Sequence, residues 1–223
     1  MADTSQSRDL LVIFDCDGVL VDSERVTAQV SASILTSLGW SVSEQDVIRT
    51  FMGCTDDYWR EVVLARTGRS VDGTWDAEFG PAYEAALDAQ LTEIAGIREV
   101  LSWLPWPYCV ASNGSHAKIR ANLHRVGLTE VWTGAFFSAE DVGAGKPAPD
   151  LFLHAAQEMG FAAERCVVVE DSVHGVSAAR SARMRSLAYA SGLIDPALLQ
   201  GPGTTVFTDM GELPGLLLDV TRS

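Results

Sequence analysis

The chain is short of lysine, of paired cysteines and of long apolar runs, and each shortage narrows what it can do. Only two of its 16 basic residues are lysine, Lys118 and Lys146, against 30 acids and a formal net charge of −14. So acidic a chain repels phosphate backbones and anionic headgroups, which argues against nucleic acid or membrane as a partner. No apolar run approaches the roughly 18 residues that a membrane span needs. Cys16, Cys54, Cys109 and Cys166 are scattered without Cys-x-x-Cys spacing, the pattern of reduced, mostly buried thiols in a cytoplasmic protein. Residues 1–7 are polar and lack basic charge, so no signal peptide is expected. A monomer or weak homodimer is expected. What the chain does have is bulk: 223 residues, 47% hydrophobic, suffice for one large domain or two smaller ones.

Near the start, Leu10-Leu11-Val12-Ile13-Phe14 runs straight into Asp15-Cys16-Asp17-Gly18. An unbroken apolar run with β-branched members predicts a strand buried on both faces, as in a parallel sheet. Carboxylates at i and i+2 then leave an extended chain on the same side, and Gly18 permits a sharp turn after them. Like charges this close are stable only with a shared proton or a cation between them. The strand end is therefore a candidate divalent-metal site with one acid free to act as nucleophile. The alternative is an ordinary Asx-rich loop after a core strand.

Residues 24–91 then show helical periodicity, with Val26, Val30, Ile34, Leu35 and Leu38 at three- and four-residue steps. Gly39 closes that helix, Ser43 and Asp46 offer a new start, and further helices are predicted over 56–67 and 75–91. Residues 22–93 carry 13 acids against five arginines. From Gly96 onward strands and helices alternate. Strands are predicted at 108–112, 135–138, 166–169, 186–190 and 205–207, and helices at 97–104, 115–126, 150–159, 173–182 and 213–220. The alternation predicts an α/β fold: a Rossmann-like parallel sheet core, residues 1–21 and 93–223, with a helical cap, residues 22–92, inserted after the first strand. Functional groups in such sheets gather at the carboxyl ends of strands, and a helical insert is suited to closing over them.

Other strand ends supply complementary chemistry. Ala111-Ser112-Asn113-Gly114-Ser115 offers hydroxyl, amide and backbone N–H groups to an anion, or is simply a helix cap. Lys146 stands in a loop set by two glycines and two prolines, Gly143-Ala144-Gly145-Lys146-Pro147-Ala148-Pro149. Glu170 and Asp171 follow the apolar run Val167-Val168-Val169, although Asp171 could equally cap the helix from Val173. Metal-binding carboxylates, donors for phosphate oxygens and a nucleophilic acid are what phosphoryl transfer requires.

In order, Asp-x-Asp-Gly-Val-Leu-Val-Asp-Ser-Glu, Ser-Asn, Gly-Lys-Pro-x-Pro-Asp and Glu-Asp-Ser-x-x-Gly resemble the four motifs of the haloacid-dehalogenase-like hydrolases. The likeness runs over residues 10–207. It points to the branch of β-phosphoglucomutase and the bacterial sugar-phosphate phosphatases, 6-phosphogluconate phosphatase in particular. It implies that Asp15 attacks phosphorus to form an aspartyl-phosphate. Asp17 would protonate the leaving alkoxide and later deprotonate the hydrolytic water. Ser112, Asn113 and Lys146 would hold the phosphoryl group. Mg²⁺ would sit on the Asp15 carboxylate, the Asp17 main-chain carbonyl and Asp171, with Glu170 as a further ligand or behind one.

Within that resemblance the mutases fit poorly. Thr27 stands where they have His, and Gly53 is followed by Cys54, Thr55, Asp56 and Asp57 instead of an early Arg. An acidic cap is also a poor grip for a second phosphate. No lysine precedes Lys118, which excludes a cap-lysine Schiff base for phosphonate cleavage, and the dehalogenases have no Asp at the place of Asp17. The expected function is a Mg²⁺-dependent phosphatase acting on a small phosphorylated sugar, polyol or sugar acid. A phosphosugar mutase and a catalytically idle phosphometabolite-binding protein are the alternatives. Ser23, Glu24, Thr27, Met52, Gly53, Cys54 and Thr55 are the candidates for substrate discrimination. Trp40, Trp59, Trp75, Trp103, Trp106 and Trp132 are expected in the core or at domain contacts, not as a sugar-stacking platform.

Overall fold

The computed structural model describes residues 9–52 and 54–222, so Gly53 and the stretch 1–7 lie outside the described residues. The first apolar run forms β1 (Leu11–Phe14). Its pleat sends Val12 and Phe14 into the core on one side of a sheet and Leu11 and Ile13 into the core on the other. All four are fully buried, which is why no polar residue interrupts the run. Among the described residues β1 is followed by α1 (Ser23–Ser37), α2 (Glu44–Phe51), α3 (Asp56–Thr67) and α4 (Gly73–Gln90). The remaining elements are α5 (Ile97–Trp103), β2 (Tyr108–Ser112), α6 (His116–Arg125), β3 (Ala135–Ser138), α7 (Asp150–Glu158), β4 (Cys166–Glu170), α8 (Val173–Ser181), β5 (Arg185–Tyr189), β6 (Thr204–Phe207) and α9 (Leu213–Arg222).

The six strands form one sheet in the order β3-β2-β1-β4-β5-β6, every neighbouring pair parallel. Ile97, Val100 and Leu101 of α5, Ile119 and Leu123 of α6, and Leu213 and Leu217 of α9 cover the face that Phe14 enters. Leu151, Phe152, Ala155 and Ala156 of α7 with Ala178 and Ala179 of α8 cover the other. The chain leaves β1 toward β2 on one side and returns to β4 on the other. A crevice therefore opens at the carboxyl end of β1, the usual ligand position in open parallel sheets.

Helices α1–α4 pack around their own apolar cluster, including Leu35, Val47, Ile48, Phe51, Val63 and Trp75. Their start is fixed locally. Ser43 Oγ accepts from the Asp46 N–H while the Asp46 carboxylate accepts from the Ser43 N–H, a reciprocal cap that starts α2 where Ser43 and Asp46 predict it. The two ends of the helical segment run side by side: the Asp22 N–H donates to Thr92 O at 2.9 Å and the Ile94 N–H to Leu20 O at 3.0 Å. None of the described helices is long and apolar enough to cross a membrane.

Candidate active site

Three parallel strand ends and one loop converge on the crevice. The Asp15 N–H donates to Val169 O at 2.9 Å, which sets the residue after β1 beside the Glu170-Asp171 end of β4. The chain then turns at Gly18, whose φ is +79°. A Cβ there would lie 1.8 Å from Asp171 Oδ2, so the glycine serves both a left-handed backbone and the close approach of an acid.

Lys146 Nζ lies 2.8 Å from Asp15 Oδ1 and 2.8 Å from Glu170 Oε1, with its charge 4.9 Å from the centre of the Phe152 ring. Burial alone would strip its proton, but the two carboxylates outweigh that and hold it charged. Asp15 is pushed up to about 7 by desolvation, against the pull of Lys146. Glu170 Oε2 accepts from the Asp171 N–H, the Ser172 N–H and Ser172 Oγ at 2.8, 2.8 and 2.9 Å. With Lys146 on its other oxygen, Glu170 is fully engaged. Asp171 is the opposite case. Its Oδ2 is buried without a hydrogen bond, and burial, then the charges of Glu170 and Asp15, raise its pKa well above the ordinary range. The competing cap role falls to Ser172, whose Oγ accepts from the Gly175 N–H at 2.9 Å, so Asp171 is free.

Ligand oxygens of Asp15, Glu170 and Asp171 lie within 4.8 Å of one another. Three carboxylates, one ammonium and an orphaned buried oxygen are unstable together unless a proton or a cation joins them. The all-oxygen donor set suits a hard divalent ion such as Mg²⁺. Asp171 offers an oxygen without a hydrogen bond, whereas Asp15 and Glu170 both already face Lys146.

Asp17 is held differently. Its Oδ2 is 2.9 Å from Lys118 Nζ. Its Oδ1 accepts from Ser23 Oγ and, at 3.3 Å, from Asn122 Nδ2. Burial opposes its charge, but Lys118 and the Ser23 hydroxyl prevail and keep its carboxyl below the usual carboxylate range. Half-buried Glu24, next to Ser23, is pushed up to about 7 by desolvation and then by the Asp17 charge.

Ser112 Oγ is buried and accepts from the Gly114 N–H at 3.1 Å, leaving its own hydrogen to give. Ser115, not Ser112, caps α6, accepting from the Lys118 N–H. Asn113 differs from its expected part: its Oδ1 accepts from the Lys146 N–H at 2.8 Å and its Nδ2 donates to Lys146 O at 3.1 Å. The side chain braces the lysine loop.

A cavity of about 450 Å³ joins these groups to the helical segment. Asp15, Asp17, Ser112, Asn113, Lys146 and Glu170 form part of its wall, as do the candidates Ser23, Glu24, Thr27, Met52 and Cys54. Thr55 does not line it; its hydroxyl accepts from the Tyr58 N–H at 3.3 Å and caps α3. Trp59 and Trp75 pack in the helical core, as expected, and also form part of the cavity wall. Lys118 and Asn122 are the residues that sequence reasoning missed. Lysine scarcity was the available sign for one. For the other it was an amide at a core-facing helical position beside Ile119 and Leu123.

Fold and site together define an α/β enzyme with a carboxylate-rich centre at the switch point of a parallel sheet. A haloacid dehalogenase-like hydrolase family model matches residues 10–183. The chain is 30% identical over 212 residues to the 6-phosphogluconate phosphatase of Escherichia coli, covering 94% of this chain and 95% of that one. It is 30% identical over 177 residues to the fructose-1-phosphate phosphatase of the same organism, covering 78% and 92%. A haloacid dehalogenase-like protein of Agrobacterium tumefaciens has a solved structure similar to this one, with a TM-score of 0.79, 34% identity, and 94% and 97% of the two chains covered. The chain belongs to the haloacid dehalogenase-like hydrolases, and within them it is an enzyme of the phosphatase class.

Proposed function

We propose that this protein is a Mg²⁺-dependent phosphatase that hydrolyses a small phosphorylated sugar, polyol or sugar acid through an aspartyl-phosphate on Asp15. The observation that carries it is the buried set Asp15, Lys146, Glu170 and Asp171, with one Asp171 oxygen unpartnered beside the candidate nucleophile. The phosphatase names of the curated relatives support the substrate class. The buried thiols of Cys16, Cys109 and Cys166 suit a cytoplasmic enzyme.

The Asp15 carboxylate attacks phosphorus, the acyl-phosphate bond forms and the ester P–O bond breaks. The departing alkoxide takes the proton of the Asp17 carboxyl. Water then gives a proton to Asp17 and attacks phosphorus, the Asp15–phosphorus bond breaks, and inorganic phosphate leaves. Ser112, Asn113 and Lys146 hold the phosphoryl oxygens. Mg²⁺, held by Asp15, Asp171 and the Asp17 main-chain carbonyl, would keep the nucleophile ionised and offset the charge of the phosphoryl oxygens. Asp17 faces one obstacle, since Lys118 favours its anion. A phosphoryl dianion competes for Lys118 and so lets Asp17 carry a proton. Residues 22–92 act as a cap, hinged where residues 20–22 and 92–94 pair, and exclude bulk water during transfer.

Phosphate release from p-nitrophenyl phosphate, then from a panel of sugar, polyol, sugar-acid and nucleotide phosphates, tests the reading with and without Mg²⁺. Turnover that needs Mg²⁺ and favours the small polyhydroxy esters supports it. Release that is indifferent to chelation, or none at all, defeats it.

A further inference from the structure

We propose that Arg125 and Asn122 form a relay that orients Asp17 only when α4 is seated against α6, so that the leaving-group acid is aligned by cap docking. The proposal rests on the phosphatase reading above. Arg125 is the last residue of α6, and its Nε donates to Asp88 Oδ1 at 2.7 Å while its Nη2 donates to Glu84. Both acids belong to α4, one turn apart, and their side chains are 62% and 67% exposed. Beyond these the pocket side begins: Arg125 Nη1 donates to Asn122 Oδ1 at 3.2 Å, and Asn122 Nδ2 donates to Asp17 Oδ1 at 3.3 Å. Asn122 itself is fully buried.

The chemistry of the three groups gives the relay a direction. A guanidinium donates and never accepts, so it selects the oxygen of the Asn122 amide. That choice leaves the NH₂ end for the Asp17 carboxylate. Without Arg125 the Asn122 amide oxygen loses its charged donor in a buried place, and only the Asp17 carboxylate itself is left to hold the amide in this orientation. Glu84 and Asp88 in turn hold Arg125 where it reaches Asn122. Arg125 and Asn122 are positioning residues, because they act through Asp17.

A misaligned acid matters most for a strongly basic leaving group. An alkoxide departs only as its oxygen gains the Asp17 proton, whereas nitrophenolate departs without it. The Arg125→Met variant should lose about tenfold or more in turnover of glycerol 3-phosphate and glucose 6-phosphate. Its single-turnover release of nitrophenolate from p-nitrophenyl phosphate should fall by less than about threefold. The double variant Glu84→Gln/Asp88→Asn changes only exposed acids of α4 and should show the same selectivity at smaller amplitude. It decides the matter if Arg125→Met does not fold. A loss merely general to the fold would lower all three esters alike, so equal losses, or intact alkyl-ester turnover in the folded variants, overturn the relay. An active wild-type protein with equal losses removes the relay alone. A wild-type protein inactive on every ester removes the phosphatase reading and the relay together.

Discussion

Asp15 and Asp17 are two residues apart, yet their surroundings drive them in opposite directions. Desolvation lifts Asp15 to about 7 despite Lys146, while Lys118 and Ser23 overcome burial and hold Asp17 low. Without a metal this order is the reverse of what the proposed roles need: the proposed nucleophile requires a cation to ionise, and the proposed acid requires Lys118 drawn away from it. Asp15→Asn should abolish turnover, with no acid-stable label on the protein. Asp17→Asn should still take up phosphate from p-nitrophenyl phosphate and then stall, losing roughly 10²-fold or more in turnover. Intact-mass measurement of the quenched enzyme distinguishes the two. Because Asp15 must be ionised to attack, activity at limiting Mg²⁺ should fall as pH drops through about 7, and saturating Mg²⁺ should move that acid limb downward. A limb that ignores the metal concentration would remove the cation from contact with Asp15. The acids, Ser112, Lys146 and Asp171 were legible in the sequence because each follows an apolar run or sits in a loop whose composition sets its path. Lys118 and Asn122 were not, since their part depends on how α6 lies over β1, a tertiary relation that helical periodicity does not encode.

Elements place these residues through a few close approaches. Gly175, in the first turn of α8, has the Glu170 carboxylate so near that a Cβ would lie 1.8 Å from it. By helix propensity alone, Gly175→Ala should gain up to about 1 kcal/mol. Here it should instead drive Glu170 off Lys146 and the Ser172 backbone, weakening Mg²⁺ binding about tenfold or more, as loss of outer partners does at metal sites. Isothermal titration of Mg²⁺ into the variant checks this, and undiminished affinity would mean Glu170 does not support the site. Most elements were legible because runs buried on both faces and caps such as Ser43 are local signals; their predicted ends lie within a residue or two of those observed. Function-bearing details at the ends were harder. Whether Asp171 or Ser172 caps α8, and whether Asn113 faces the phosphate or the lysine loop, is decided by contacts between segments far apart in sequence. The place of Thr55 in the chain suggests a specificity residue, but its hydroxyl is taken up in capping α3.

At the scale of the whole molecule, the acid cluster makes folding, proton binding and metal binding one coupled problem. Asp15 and Asp171 have raised pKa values in the folded protein, Asp15 to about 7 from 3.8. The metal-free fold therefore holds protons that the unfolded chain releases. For Asp15 the stabilisation is full below about pH 4 and drains away as pH rises to about 7, beyond which the loss is constant. Mg²⁺ offers the same carboxylates another partner and must displace those protons, so it binds more tightly as pH rises. Its stabilising effect should then be larger at pH 8 than at pH 5.5, the opposite of the trend for the metal-free fold. A ligand at a hundredfold excess over its Kd adds about 2.7 kcal/mol. For a chain of this length, at about 2–4 °C per kcal/mol, that is a rise in Tm of roughly 5–10 °C. Thermal melts with Mg²⁺ or a chelator at the two pH values read this directly. Equal shifts at both would place the metal away from these protonated carboxylates, and none at either would show that they take no metal. Asp171→Asn separates the contributions: it removes one buried ionisable group and should raise metal-free stability at pH 8 while cancelling most of the Mg²⁺ gain.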